Sequence, residues 1–317
     1  MDYNNIFEAS LELKDETREN YNKLQPKNGL FDIRRAEAML EGSIDCHCLA
    51  GPCAAATRPW NEAELGIDAC RRGMAALVFK CNSYCCTTRS SYVAQKAVDK
   101  WAAENGRKPT RMVGGVILNY AVGGLNPYAV EVHAKIGGRW VWTPSVDASW
   151  HRSLTGQGGG IDVITDDNKV VPELEEIFRI AAKYDMVLGM CHQSTKERFI
   201  MIDAAREAGV KRMELVHPQQ PANKMTIDQM KEAAAKGAYT GLFCCDFNHP
   251  FFDWDETLEI VKEVGADNIV LGTDLGNFKW PHPIEGFKRF LALLLDFGVP
   301  EKDVEKMAKT NPHNLIF

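Results

Sequence analysis

Eight short apolar runs, each followed by a stretch with helical spacing, recur along most of the chain, and this alternation constrains its fold more than any other feature. The runs read as strands over Ser43–Cys48, Ala75–Lys80, Met112–Leu118, Arg139–Trp142, Met186–Met190, Met213–Val216, Tyr239–Phe243 and Ile269–Leu271. Most are apolar on both parities, so both of their faces need cover, as in a parallel sheet wrapped by helices. Helices are predicted between them: from Asn61 to about Arg72, Ser91–Glu104, from Asn126-Pro127 onward, Pro172–Lys183, Ser194–Ala208, Thr226–Lys236, Asp255–Val264 and Ile284–Phe297. Asn61 is a capping residue, and Pro127 suits a first helical turn because its missing N–H is unpaired there anyway. Eight strand–helix units in 317 residues fit a single α/β domain, a (β/α)8 TIM barrel over residues 43–317. Residues 1–42 read as an N-terminal helical extension, with apolar positions at Ile6, Leu11, Leu13, Ile33, Ala36, Met39 and Leu40.

The fourth connection, Thr143–Val171, is far longer than the few residues such turns usually take. It holds Trp150-His151-Arg152, three consecutive glycines from Gly158, and a predicted small hairpin over Ile161–Val171 turning at Asp167-Asn168. A long loop at the active end of a barrel acts as a lid or sets specificity.

Composition excludes several classes of function. A net charge of -6 argues against nucleic acid or an anionic membrane as partner. No apolar run approaches a membrane span, and the acidic, polar start resembles no signal or transit peptide. Ten cysteines without framework spacing read as reduced thiols of a cytoplasmic protein. A small-molecule substrate is the expected partner, and a homo-oligomer is compatible with the sequence.

In a barrel, chemistry sits where strands end at their carboxyl side. Five titratable groups fall there: His47, Lys80, His192, His217 and Asp274. Imidazoles with a carboxylate suit zinc first, with manganese and iron as further options. Strict alternation along the strands would turn Asp45 and Leu49 inward with His47, and leave Cys46, Cys48, Cys81 and Cys191 packed under the helices. One of Cys244 and Cys245 would then face inward, so a thiolate zinc site ranks below plain packing but stays open. A lysine ending a buried strand needs an acid or a special role; for Lys80 an ion pair with Asp45 weighs as much as substrate binding. His133, His282 and His313 take a surface reading, and His151 and His249 lie in active-face loops.

The motifs Asp45-Cys46-His47, Lys80 after strand two, His192, His217-Pro218, Gly272-Thr273-Asp274 and the closing Asn311-Pro312…Leu315 together resemble the amidohydrolase superfamily. Leu118-Asn119 and Gly123–Pro127 after strand three add to the likeness, which runs from Ser43 to the last residue. The resemblance implies that His47, His192, His217 and Asp274 hold a divalent metal. That ion would activate water at neutral pH to hydrolyse a small amide, cyclic amide or lactone. Asp274 would carry the water's proton to the leaving group, and His217 would ligate or polarise the carbonyl. Lys80 and Arg58 would anchor negative charge on the substrate, with His151 and Asn82 as further contacts. Two positions depart from the pattern: Leu49 replaces the second histidine of the first-strand pair, and Asn82 stands where another histidine is expected. One ion rather than two follows, and Lys80 or a cysteine substituting as ligand, or loss of the metal, stay open. A metal-dependent decarboxylase is the alternative chemistry, and an inactive barrel binding a small ligand or protein is the alternative class.

Overall fold

The structure, a computed structural model, describes residues 33–82, 86–248 and 252–317. The expected positions Ile6, Leu11, Leu13, Cys85 and His249 lie outside the described residues. Eight parallel strands follow one another in sequence order: β1 Ile44–Cys48, β2 Ala76–Phe79, β3 Arg111–Ile117, β4 Trp140–Trp142, β5 Val187–Met190, β6 Arg212–Leu215, β7 Ala238–Phe243 and β8 Ile269–Gly272. The seam from β8 to β1 closes through backbone bonds. Asp274 N–H donates to the His47 carbonyl at 2.6 Å, and Leu49 N–H to that of Leu275 at 3.0 Å. The predicted (β/α)8 barrel is what the chain forms.

Twelve α-helices are described: α1 Ile33–Leu40, α2 Glu62–Arg71, α3 Thr88–Glu104, α4 Pro127–Lys135, α5 Ser149–Leu154, α6 Pro172–Lys183, α7 Thr195–Glu207, α8 Ile227–Ala235, α9 Trp254–Val264, α10 Pro283–Asp296, α11 Glu301–Glu305 and α12 Asn311–Ile316. Their starts follow the sequence signals. Asn61, Ser194 and Thr226 each close a capping box that satisfies otherwise orphan N–H groups. Helix α1 buries Ala36, Met39 and Leu40 and packs on α10, with Glu37 paired to Lys288 at 3.3 Å. Among the described residues no helix is long and apolar enough to cross a membrane.

The long fourth connection folds over the carboxyl end. Its hairpin is present, with Ile164 bridged to Val170 and Asn168 in the left-handed region at φ 61°. Helix α5 inside it was not anticipated. Trp150 fastens it by donating its indole N–H to the Ala222 carbonyl at 2.7 Å.

Inside the barrel, Trp140 and Trp142 stack with ring centroids 5.5 Å apart. Both strands flanking β4 carry glycine at the contact. A Cβ on Gly115 would sit 2.0 Å from the Trp142 ring, and one on Gly189 would sit 2.2 Å from it. Indoles of this size fit across a barrel only where neighbouring strands give up their side chains.

Three expectations about side-chain direction fail. Between Asp45 and Cys48, β1 carries one residue more than its partner β2: Asp45 pairs with Leu77 and Cys48 with Phe79. Such a bulge breaks alternation. Asp45 therefore turns to the seam, where its carboxyl accepts from Thr273 N–H at 2.9 Å and from the Thr273 hydroxyl at 2.6 Å. Cys46 and Cys191 have Glu214 of β6 as an electrostatic neighbour, which places them in the barrel interior and not under the helices. Cys48 does face outward, toward Arg58 and Glu62. His133 is buried and not at the surface: Nδ1 meets Thr88 Oγ1 at 2.6 Å and Cys86 Sγ at 3.0 Å, and Nε2 meets the Trp140 carbonyl at 3.1 Å. His313 is exposed, as expected.

Candidate metal centre

Asp274 follows β8, and its carboxyl lies between two imidazoles from other strands. His47 Nε2 lies 3.3 Å from Oδ1, and His217 Nε2 lies 3.3 Å from Oδ2. His47 is fully buried and His217 nearly so, while a fifth of the Asp274 side chain reaches solvent. Ligand atoms of the three residues all lie within 4.8 Å of one another. Both His217 and Asp274 hold left-handed backbone, at φ 52° and 48°. Such conformations cost non-glycine residues roughly 1–3 kcal/mol and gather at functional sites. Among the described residues, only two other non-glycine positions share them.

Each surrounding group shapes the imidazoles. His47 touches Phe243 edge-on, with centroids 4.9 Å apart, and both its ring nitrogens are buried without a hydrogen bond of good geometry. Burial, aided by the Lys80 charge, lowers His47 to about 3, so its ring is neutral and its nitrogens are free to ligate. Burial also opposes a charge on His217, but the Asp246 and Asp274 carboxylates outweigh it and raise His217 to about 9. Asp246 stands behind the ring, 3.5 Å from Nδ1, and is pinned by the Gln220 amide at 2.9 Å. A carboxylate behind a ligating histidine fixes its tautomer and turns Nε2 toward the centre. Burial opposes the charge on Asp274 too, yet His47 and His217 hold its carboxyl well below the usual range.

The other predicted residues take distinct places. His192 stands beside the cluster, its centroid 6.1 Å from that of His217. Its Nδ1 faces Nδ1 of His151 on α5 at 3.0 Å, which leaves Nε2 as its unengaged nitrogen. Lys80 is buried over the Trp142 ring at 5.8 Å. Its acidic neighbour is Glu214, not Asp45. Burial raises Glu214 to about 7, against the pull of Lys80 and of the Trp140 and Trp142 indole groups alongside, neither of which closes a full hydrogen bond. Asn82 is tied to the third and fourth connections, accepting from Asn119 Nδ2 at 3.0 Å and from Ser145 Oγ at 3.3 Å. Arg58 lies with Cys48 on the helix side of β1, with Nε and Nη1 buried and unpaired. A cavity of about 510 Å³ opens between the end of β2 and helices α2 and α3, with Lys80 in its wall.

Sequence reasoning missed three residues. Asp246 and Glu214 gave no strand-end signal, and Cys245 was named only with Cys244 as an open choice. Cys245 Sγ donates to Asp274 Oδ2 at 3.2 Å.

The sequence pattern of DUF6282, a family of unknown function, matches residues 42–241. The chain belongs to the DUF6282 family. No curated protein matches the sequence. Solved structures of low sequence identity share the barrel fold of this DUF6282 chain. An amidohydrolase from Pseudomonas aeruginosa superposes with a TM-score of 0.59 at 16% identity, covering 89% of this chain and 98% of that one. A probable dipeptidase from Pseudomonas aeruginosa gives 0.57 at 10% identity, covering 89% and 97%. A dipeptidase described as a metallopeptidase gives 0.56 at 12% identity, covering 87% and 98%.

Proposed function

We propose that this DUF6282 protein is a metal-dependent hydrolase of a small amide, cyclic amide or lactone. The observation that carries the reading is the convergence of His47 Nε2 and His217 Nε2 on the Asp274 carboxyl at the end of the barrel. The donor set suits a divalent ion: two imidazoles, one of them buried with neither nitrogen in a hydrogen bond of good geometry, and one carboxylate. An amidohydrolase and two dipeptidases share this scaffold, which supports amide chemistry as the reading.

His47, His217 and Asp274 would hold the ion, with His192 standing beside them. When bound, the ion supplies Lewis-acid polarisation and brings the pKa of water near 7. Asp274 is the one member of the cluster with an open side, so its carboxylate takes the proton of the attacking water and returns it to the leaving group. Asp246 holds the Nδ1 proton of His217, and His151 holds Nδ1 of His192, so each ring keeps its orientation as charge shifts. Lys80, buried over the Trp142 ring and near enough for its charge to act on His47, would anchor a negatively charged part of the substrate. Helix α5, fastened by Trp150 to the Ala222 carbonyl, brings His151 against His192.

Hydrolysis assays on zinc- or manganese-loaded protein, across small N-acyl amides, cyclic amides and lactones, test the reading. Turnover should vanish in Asp274→Asn and with chelator, and return on adding metal. No turnover on any of the three classes, with release of carbon dioxide from small carboxylic acids instead, would shift the reading to a decarboxylase.

A further inference from the structure

His192 and His217 follow neighbouring strands, and one side chain reaches the backbone just before each of them. Pairing between β5 and β6 ends at Met190 and Leu215. The next two carbonyls, those of Cys191 and Val216, are taken up by Arg198 of α7. Its Nη2 donates to the first at 2.5 Å and to the second at 2.6 Å, so both hydrogens of one nitrogen bridge the two strand ends. Its Nη1 donates to the Asn223 carbonyl at 3.3 Å, in the connection after β6. Arg198 is fully buried, and burial lowers it to about 10, so it stays charged at neutral pH. Bonds from a charged donor are about twice as strong as neutral ones. The same residues are also held through their N–H groups. That of Cys191 donates to the Thr143 hydroxyl at 2.9 Å, and that of Val216 to the Met190 carbonyl at 2.9 Å. With its N–H and C=O both tied, Val216 delivers His217 into the left-handed region at φ 52°. Such a conformation persists only where the surroundings over-determine it.

We infer that Arg198 is a positioning residue of the metal centre: it locks the ends of β5 and β6 together and so sets where His192 and His217 stand, 6.1 Å apart by ring centroid. It acts through the backbone that carries the imidazoles. The placement of the rings rests on geometry alone, and its consequence for metal affinity rests on the metal reading above.

Zinc affinity of the full chain, by chelator competition, tests that consequence. Arg198→Met should bind zinc about 10–100-fold more weakly, the loss expected when an outer partner of a ligand is removed. Arg198→Lys, which keeps the charge but stops short of the bridge, should fall between. Arg139→Met is the control for a merely structural loss. It removes a guanidinium that holds the Ile316 carbonyl at 3.0 and 2.5 Å ahead of β4, at the opposite end of the barrel, and should leave affinity unchanged. Equal losses at 139 and 198, or none at 198, would overturn the inference and leave the metal reading standing. A wild type that binds no zinc would overturn the metal reading, and the placement is then decided on the metal-free protein. With isotope-labelled histidine, Arg198→Lys should shift the ring signals of His192 and His217 but not those of exposed His313; unmoved rings would overturn the inference. In wild type itself, where no variant has to fold, the Arg198 guanidinium protons should exchange slowly with water, and fast exchange would overturn the bridge.

Discussion

Replacing Gly115 by alanine should damage the barrel in a way that reports on the site. The new Cβ would lie 2.0, 2.7 and 2.9 Å from three carbons of the Trp142 ring, where carbon pairs rest at about 3.5–4.0 Å. The ring cannot slide aside, because its opposite edge already fills the space a Cβ would need at Gly189. Overpacking of this kind costs about 1–3 kcal/mol, and a rigid indole belongs at the upper end. Alanine regains about 0.5–1 kcal/mol of backbone entropy relative to glycine, so the net loss is about 2 kcal/mol. At about 2–4 °C per kcal/mol that is a drop of roughly 4–8 °C in Tm. Trp142 also touches the His47 ring at 5.9 Å and carries Lys80, so metal affinity should fall with stability. Gly158→Ala, with no atom within 4 Å of its added carbon, is the control and should leave Tm within about a degree. The alanine at 115 should cost little once Trp142→Leu has removed the ring, a non-additivity expected of touching residues. Equal effects at 115 and 158, or a full cost persisting without the indole, would refute the wedge.

Two further outcomes follow from buried groups. Burial holds His133 at about 4, against 6.5 for a free histidine. The unfolded chain therefore takes up its proton first as pH falls, and the stability tied to neutral His133 is complete above 6.5 and lost toward 4. The shift amounts to about 3 kcal/mol at most, so the stability gap between wild type and His133→Phe should narrow by up to that amount from pH 6.5 to 4 in urea unfolding; a constant gap would show that the imidazole is not held neutral. Asp246→Asn should keep the fold but weaken metal binding about 10–100-fold in chelator competition, because the charge behind His217 is gone; unchanged affinity would remove Asp246 from the centre.

The architecture was legible because its causes are local and repeated. Each strand is an apolar run needing two covered faces, and helices start at caps such as Asn61 and Ser194 that announce themselves in the sequence. The placement of His47, His217 and Asp274 was legible for the same reason, since strand ends converge in any such barrel. Side-chain direction was not. One extra residue in β1 turned Asp45 to the seam and Cys46 inward, and nothing in Ser43–Cys48 signals a bulge. His133 looked like one more polar residue on a helix, because its partners Cys86, Thr88 and the Trp140 carbonyl come from other parts of the chain. Glu214 broke an apolar strand with an acid, a signal that could have been weighed against Lys80, which follows β2 across the barrel. Cys245 and Asp246 lie beyond the end of β7, in a turn whose shape alternation does not predict.

The central claim is that His47, His217 and Asp274 hold a divalent ion. The most direct measurement is the metal content of the purified protein, by elemental analysis after growth with zinc and again after reloading with zinc and exhaustive dialysis. Wild type should retain close to one zinc per chain, and a His217→Ala, Asp274→Ala double variant should retain almost none. A wild-type protein without stoichiometric metal, or a double variant that holds as much zinc as wild type, would contradict the account.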